Sequence, residues 1–114
     1  MSDPESTRPA EPGPSAPLGF VEVVGRSMEP ALRAGDRLLV AYGRTPRPGQ
    51  VVLARFADGT VVVKRVAERR ERGWWLLSDN AAEGVDSRHR GAVGDADVLA
   101  VALGRWWPRP SLVL

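Results

Sequence analysis

The dipeptide Asp58-Gly59 lies between two runs of β-branched and aliphatic residues, and it restricts the fold more than any other short segment. Asp-Gly in this setting is the strongest local signal for a β-hairpin, because the tight turn requires positive φ values that glycine readily adopts. We therefore predict antiparallel pairing between residues 50–56 and 60–67. A second hairpin is predicted to turn at 68–73 and to return through 74–77.

The rest of the chain shows the same all-β pattern. Strands are predicted at 20–24 and 37–42, with turns at Gly25 and Gly35-Asp36 and a proline-containing loop at 43–49. No long segment has the period of a helix. Short strands at this spacing are typical of a small coiled or closed antiparallel β-barrel-like fold. A chain of 114 residues has room for one such domain.

Composition divides the chain into three segments. Residues 1–17 contain five prolines among Ser, Glu, Gly and Ala, which predicts a disordered tail. Residues 18–110 form the predicted domain, and 111–114 a C-terminal tail. No segment has the pattern of a signal peptide or the roughly 18 apolar residues of a membrane span. We expect a cytoplasmic protein without a membrane anchor.

Charge and cysteine content exclude several classes of site. The formal net charge is only +2, so nucleic acid is not an expected partner, and the local cluster Arg69-Arg70-x-Arg72 predicts an exposed hairpin tip. The chain has no cysteine, which excludes disulfides and thiolate metal sites. We expect neither a metal nor a cofactor.

Lys64 is the only lysine, since the other fifteen basic residues are arginines. Arginine keeps its proton in proteins, so a single lysine suggests a function that requires a neutral amine. The two-residue period of the predicted strand places Val62, Lys64 and Val66 on one face. Burial there would lower the pKa of the amine towards the range of a general base. The alternative is a lysine whose stem covers apolar surface while its amine reaches solvent.

Ser27 follows the predicted strand 20–24 on a turn between Gly25 and Pro30. A serine at such a turn can present its hydroxyl beside its own amide N–H, as a nucleophile with an oxyanion donor requires. A turn serine without catalytic function is the alternative.

Five motifs resemble, in order, the successive boxes of the type I signal peptidase family of Ser/Lys serine proteases. They are Gly25-x-Ser27-Met28-x-Pro30-x-Leu32, Gly35-Asp36, Lys64-Arg65-Val66, Ser78-Asp79-Asn80 and Asp86-Ser87-Arg88-x-x-Gly91. The resemblance implies that Ser27 is the nucleophile, that Lys64 is the general base and that the Ser27 amide is one oxyanion donor. It agrees with a coiled β fold of the signal peptidase or repressor-protease type.

Charged residues of the later boxes are predicted to hold this dyad in place. We expect Asp79 or Asp86 to pair with Arg65 or Arg88, and Asn80 belongs to the same loop. An ordinary polar turn is the alternative.

Two departures from the family leave functions unassigned. Gly25 stands where many relatives carry a hydroxyl residue that is the second oxyanion donor. Gly84 stands where some carry a serine that contacts the lysine.

The substrate is predicted to bind in extended form beside strand 20–24, against Phe20, Val24 and Met28. Near the end of the chain, Trp106 and Trp107 are expected to close the barrel or cover an edge, or else to line a peptide groove or touch a membrane surface. A rival dyad would place His89, oriented by Asp86, beside Ser27. An exposed loop histidine is the simpler interpretation.

These observations favour a soluble endopeptidase that removes an N-terminal extension from a protein substrate. Small size, the missing anchor and the paired tryptophans resemble the maturation peptidases of nickel-containing superoxide dismutases, which implies that precursor as substrate. Two alternatives stay open. One is the self-cleaving protease domain of a repressor, and the other is a peptide-binding module that kept the fold without activity.

Overall fold

A computed structural model describes residues 17–114 and the backbone of Arg8 and Pro9. The elements are β1 (Arg8–Pro9), β2 (Leu18–Glu22), β3 (Arg37–Tyr42), β4 (Val51–Arg55), β5 (Val61–Arg70), β6 (Gly73–Leu77), helix α1 (Ser87–Arg90), a 3-10 turn (Asp95–Asp97) and β7 (Val98–Trp107). The strands form one antiparallel sheet in the order β1-β2-β3-β7-β4-β5-β6. The predicted mostly β fold is confirmed.

Both predicted hairpins are present. The Asp58-Gly59 turn joins β4 to β5, with Gly59 at φ 90° and the Asp58 carboxylate accepting a 3.0 Å hydrogen bond from the Thr60 amide. The second turn is tighter than predicted, because β5 continues to Arg70 and β6 begins at Gly73. A bulge between Val66 and Glu68 shifts the register of this hairpin by one residue.

β4 is buried on both faces of the sheet. Alternate residues of β4 enter two separate core clusters, Val51 and Leu53 on one face and Val52 and Ala54 on the other. The first cluster also contains residues of β2, β3 and the segment 23–32, and the second contains residues of β6 and Val93. β5 contributes Val62 and Val66 to the second cluster, so the predicted face of Lys64 is buried.

The ends of the chain also contact the sheet. β1 pairs with the outer edge of β2, with Arg8 opposite Glu22 and Pro9 opposite Val21. Most of the predicted tail, residues 1–7 and 10–16, lies outside the described residues. Near the C-terminus, Ser111 exchanges two 2.9 Å backbone hydrogen bonds with Arg105, and Leu114 packs against the first core cluster. In the described part of the chain, no helix is long and apolar enough to cross a membrane.

Candidate active site

Lys64 lies at the centre of β5 and is completely buried, with 0% of its surface exposed. Its Nζ atom donates a 3.0 Å hydrogen bond to Oγ of Ser78, the residue that directly follows β6. The pairing of Arg65 with Leu77 in the hairpin sets Ser78 across from Lys64. The alternative of a lysine whose amine reaches solvent is therefore wrong.

Ser78 was part of a predicted motif but had no predicted role. Some relatives carry the lysine's hydroxyl partner at the position of Gly84, which has no side chain. The structure provides that hydroxyl from Ser78 instead. The register of the β5–β6 hairpin is the feature that identifies Ser78 as the partner of Lys64. That register depends on the bulge in β5.

Ser27 lies on the predicted turn and is buried, with 4% of its surface exposed. The turn is closed by a 3.2 Å hydrogen bond from the Glu29 amide to the Arg26 carbonyl, which makes Ser27 one of its two central residues. Within residues 17–114, the Ser27 amide donates none of the backbone–backbone hydrogen bonds that form outside strands and helices.

A short segment after β6 contacts both Lys64 and the Ser27 turn. Ser78 accepts from Lys64, and two residues later the Asn80 amide donates a 2.8 Å hydrogen bond to the Ser27 carbonyl. Two residues of chain span at most about 7 Å. The Ser27 turn and the buried amine of Lys64 therefore contact groups that lie close together on one segment.

The Arg65–Asp79 pair holds this segment against β5. Nε and Nη2 of Arg65 each donate a 2.8 Å hydrogen bond to one oxygen of Asp79, so the contact is bidentate. Arg65 also donates to the carbonyls of Gly49 and Leu114. The hydrogen bond from Asp79 raises the pKa of Arg65 above its usual value.

The Asp86–Arg88 pair holds Ser78 from the other side. The Asp86 carboxylate is fully buried and accepts from the Ser78 amide, the Arg88 amide and the Arg88 guanidinium, each at 3.0 Å. Burial acts to raise the pKa of Asp86, but the hydrogen bonds from Arg88 and from the Ser78 amide outweigh it, so the pKa is lowered. Asp86 thus fixes the backbone of the residue that contacts Lys64.

His89 lies on α1 with half of its side chain exposed. Its Nδ1 atom accepts a 3.3 Å hydrogen bond from the Asp86 amide, as part of the capping box of this helix. The contact gives His89 a structural role in the cap.

The residues predicted to bind substrate lie apart. Met28 is 2% exposed and belongs to the core cluster with Val21, whereas Phe20 lies on the outward face of β2 and contacts Trp106 edge-to-face at 5.5 Å. Val24 is partly buried. Phe20 and Met28 therefore do not line a common surface. The role of these residues in substrate binding stays a prediction.

The tryptophans near the end of β7 are about half exposed, and Arg37 lies over the Trp107 ring at 4.7 Å. Phe20, Arg37 and Trp106 help to line an outward pocket of about 320 Å³. In the part of the chain that the structure describes, no group of three His, Asp or Glu side chains could hold a metal ion.

Comparison with known proteins identifies the family. A protein-family model described as Peptidase S24-like matches residues 5–98, which is most of the chain. This supports the wider superfamily of self-cleaving repressors and signal peptidases, and it indicates serine peptidase activity in general. No curated protein matches the chain.

Proposed function

We propose, from the premise that this chain belongs to the Peptidase S24-like family, that it is an endopeptidase with Ser27 as nucleophile and Lys64 as general base. One observation carries the proposal. The only lysine of the chain is fully buried, and its amine contacts a segment that also binds the backbone of Ser27.

Burial gives Lys64 the chemistry of a base. An ammonium group loses its hydration inside the protein, so burial favours the neutral amine. The hydrogen bond that Nζ donates to Oγ of Ser78 helps to orient the amine, and the neutral amine would take the hydroxyl proton of Ser27.

The reaction would proceed in two steps. Oγ of Ser27 attacks the scissile carbonyl while its proton passes to Nζ of Lys64, and the Ser27 amide donates to the developing oxyanion. The Lys64 ammonium then protonates the leaving amine as the C–N bond breaks, which leaves an acyl group on Ser27. Water then attacks the ester carbonyl while Lys64 accepts its proton, and Lys64 returns that proton to Oγ of Ser27 as the ester bond breaks.

The substrate class we propose is a cytoplasmic protein with a cleavable N-terminal extension, and the precursor of a nickel-type superoxide dismutase is the specific candidate. The paired tryptophans and the small size of the domain, which resemble those of the maturation peptidases, support this choice. The test is to incubate the purified chain with that precursor and to measure the precursor's mass over time. We expect loss of a discrete N-terminal peptide with the wild type and none with Ser27→Ala. A precursor that stays intact with both would contradict the substrate assignment.

Self-cleavage is a second candidate because β1 pairs with the edge of β2. The pairing is antiparallel, so Arg8 lies opposite Glu22, the end of β2 that leads towards Ser27. Arg8 and Pro9 therefore lie beside the strand that leads into the Ser27 turn. Intact-mass measurement of the wild type and Ser27→Ala, each incubated alone at pH 7 and pH 10, distinguishes the two functions. A new mass in the wild type alone would favour self-cleavage.

The inactive peptide-binding module is tested by acylation. A small activated ester, N-acetyl-alanine 4-nitrophenyl ester, should label Ser27 in a working peptidase. A wild type that reacts no faster than Ser27→Ala would favour the inactive module.

A further inference from the structure

Asn80 contacts two successive peptide groups of the nucleophile turn. Its backbone amide donates a 2.8 Å hydrogen bond to the Ser27 carbonyl, and Nδ2 of its side chain donates a 3.3 Å hydrogen bond to the Arg26 carbonyl. Asn80 and Arg26 are 54 residues apart in sequence. Asn80 is also two residues from Ser78, the partner of Lys64. One residue thus connects the turn to the site of the base.

The contact with Arg26 controls the direction of the Ser27 amide. Among the described residues, the cis peptide bonds are those before Pro30 and Pro108, so the bond between Arg26 and Ser27 is trans. In a planar trans peptide, the carbonyl of one residue and the N–H of the next point to opposite sides. A donor that holds the Arg26 carbonyl therefore also sets the direction of the Ser27 N–H.

Two donors share the Arg26 carbonyl. The Glu29 amide, at 3.2 Å, belongs to the same turn and moves with it. The Asn80 side chain comes from the loop after β6, so it fixes the peptide plane relative to the rest of the fold. A carbonyl oxygen has two lone pairs and can accept both.

We infer that Asn80 is a positioning residue that aims the Ser27 N–H at the oxyanion, a role that rests on the proposed peptidase function. When the Asn80 side-chain amide is removed, the Asn80 backbone still holds the Ser27 carbonyl. The peptide plane between Arg26 and Ser27, however, can then rotate. Complete loss of one oxyanion donor costs about 100- to 1,000-fold in kcat. The Glu29 contact persists, so we expect a smaller loss, about 10- to 100-fold.

The experiment compares Asn80→Ala and Asn80→Asp with the wild type, Ser27→Ala and the same-loop control Glu83→Ala. The substrate is N-acetyl-alanine 4-nitrophenyl ester, and the inhibitor is a peptide aldehyde ending in alanine, which forms a tetrahedral adduct with the serine. We expect both Asn80 variants to lose about 10- to 100-fold in kcat with KM changed less than about threefold. Affinity for the aldehyde should fall by a similar factor, and Glu83→Ala should match the wild type.

The pH profile separates positioning from a general structural effect. Asn80→Ala leaves the hydrogen bond from Lys64 to Ser78 in place. The midpoint of the pH–rate profile should therefore be the same as in the wild type, and Tm should change by only a few degrees. Asn80→Ala with wild-type kcat and aldehyde affinity would overturn the positioning role alone. Loss of activity in proportion to loss of Tm, with KM raised, would also overturn it. A wild type no faster than Ser27→Ala would instead overturn the proposed function, and this role with it.

Discussion

The Nζ atom of Lys64 and the Oγ atom of Ser78 are joined by a 3.0 Å hydrogen bond between two buried side chains. The amine donates this hydrogen bond and the hydroxyl oxygen accepts it. Burial disfavours the charged ammonium form, so a buried amine is suited to accept a proton.

Ser78→Ala should slow cleavage while leaving the protein folded. Removing Oγ takes away the contact that orients Lys64, and we expect kcat to fall about 10- to 100-fold, less than the full contribution of a general base. Ser87→Ala is the matched control, because Ser87 is another buried serine whose Oγ accepts a 2.9 Å hydrogen bond from the Leu76 amide. It should lose stability but keep its kcat. Equal losses of activity in the two variants would contradict an orienting role for Ser78.

Ser27→Ala and Lys64→Arg should each reduce cleavage at least about 1,000-fold. Arginine keeps the positive charge and the reach of lysine but cannot release a proton at neutral pH. His89→Ala should retain activity, since His89 caps α1. The measurement is the initial rate on one substrate, with circular dichroism to show that each variant is folded. Retained activity in Lys64→Arg, or its loss in His89→Ala, would refute the Ser/Lys dyad.

The rate of cleavage should rise with pH through one ionisation well below the free lysine value of about 10.4. The active form requires a neutral amine at Lys64, and burial favours that form. The check is kcat/KM between pH 5 and pH 10 in buffers of constant ionic strength. A rate that increased only near pH 10 would mean that burial does not shift the base.

Asp86 should make the protein sensitive to acid. Its pKa is lower in the folded state than in the unfolded state, so its contribution to stability is present above the unfolded value of about 3.9 and is lost as pH falls through the folded value. Asp86→Asn should lower the free energy of unfolding by about 1–3 kcal/mol at pH 7. The buried Ser78 amide would then donate to a neutral amide oxygen, which is a weaker acceptor than the carboxylate. Urea denaturation between pH 2 and pH 7 should show this difference shrinking in acid. A difference independent of pH would contradict the assigned charge.

Substrate specificity should be confined to the residue before the cut and the residue two before it. An extended peptide beside the chain that leads into Ser27 points every second side chain into the protein. A series with Ala or Trp at those two positions, and at the intervening one, tests this in a substrate that the wild type cuts. Trp should be rejected at the two positions and tolerated between them. Equal tolerance at all three would rule out extended binding.

Sequence alone determined the features that depend on neighbouring residues. Asp58-Gly59 predicts its hairpin because the turn is chosen by local backbone preferences. The alternation around Lys64 predicts that it shares a face with Val62 and Val66, because a strand has a period of two, and the structure shows that this face is buried. The family motifs also predicted that Arg65 and Arg88 pair with aspartates, and the structure contains the pairs Arg65–Asp79 and Arg88–Asp86.

Tertiary structure alone decided which hydroxyl meets the lysine. Near its turn the hairpin pairs Glu68 with Trp75, but beyond the bulge it pairs Arg65 with Leu77, so the extra residue in β5 brings Ser78 rather than its neighbour across from Lys64. The Asn80 contact with Arg26 joins residues 54 positions apart. Such contacts follow from how strands pack and shift register over the whole sheet, and local preferences do not contain that information.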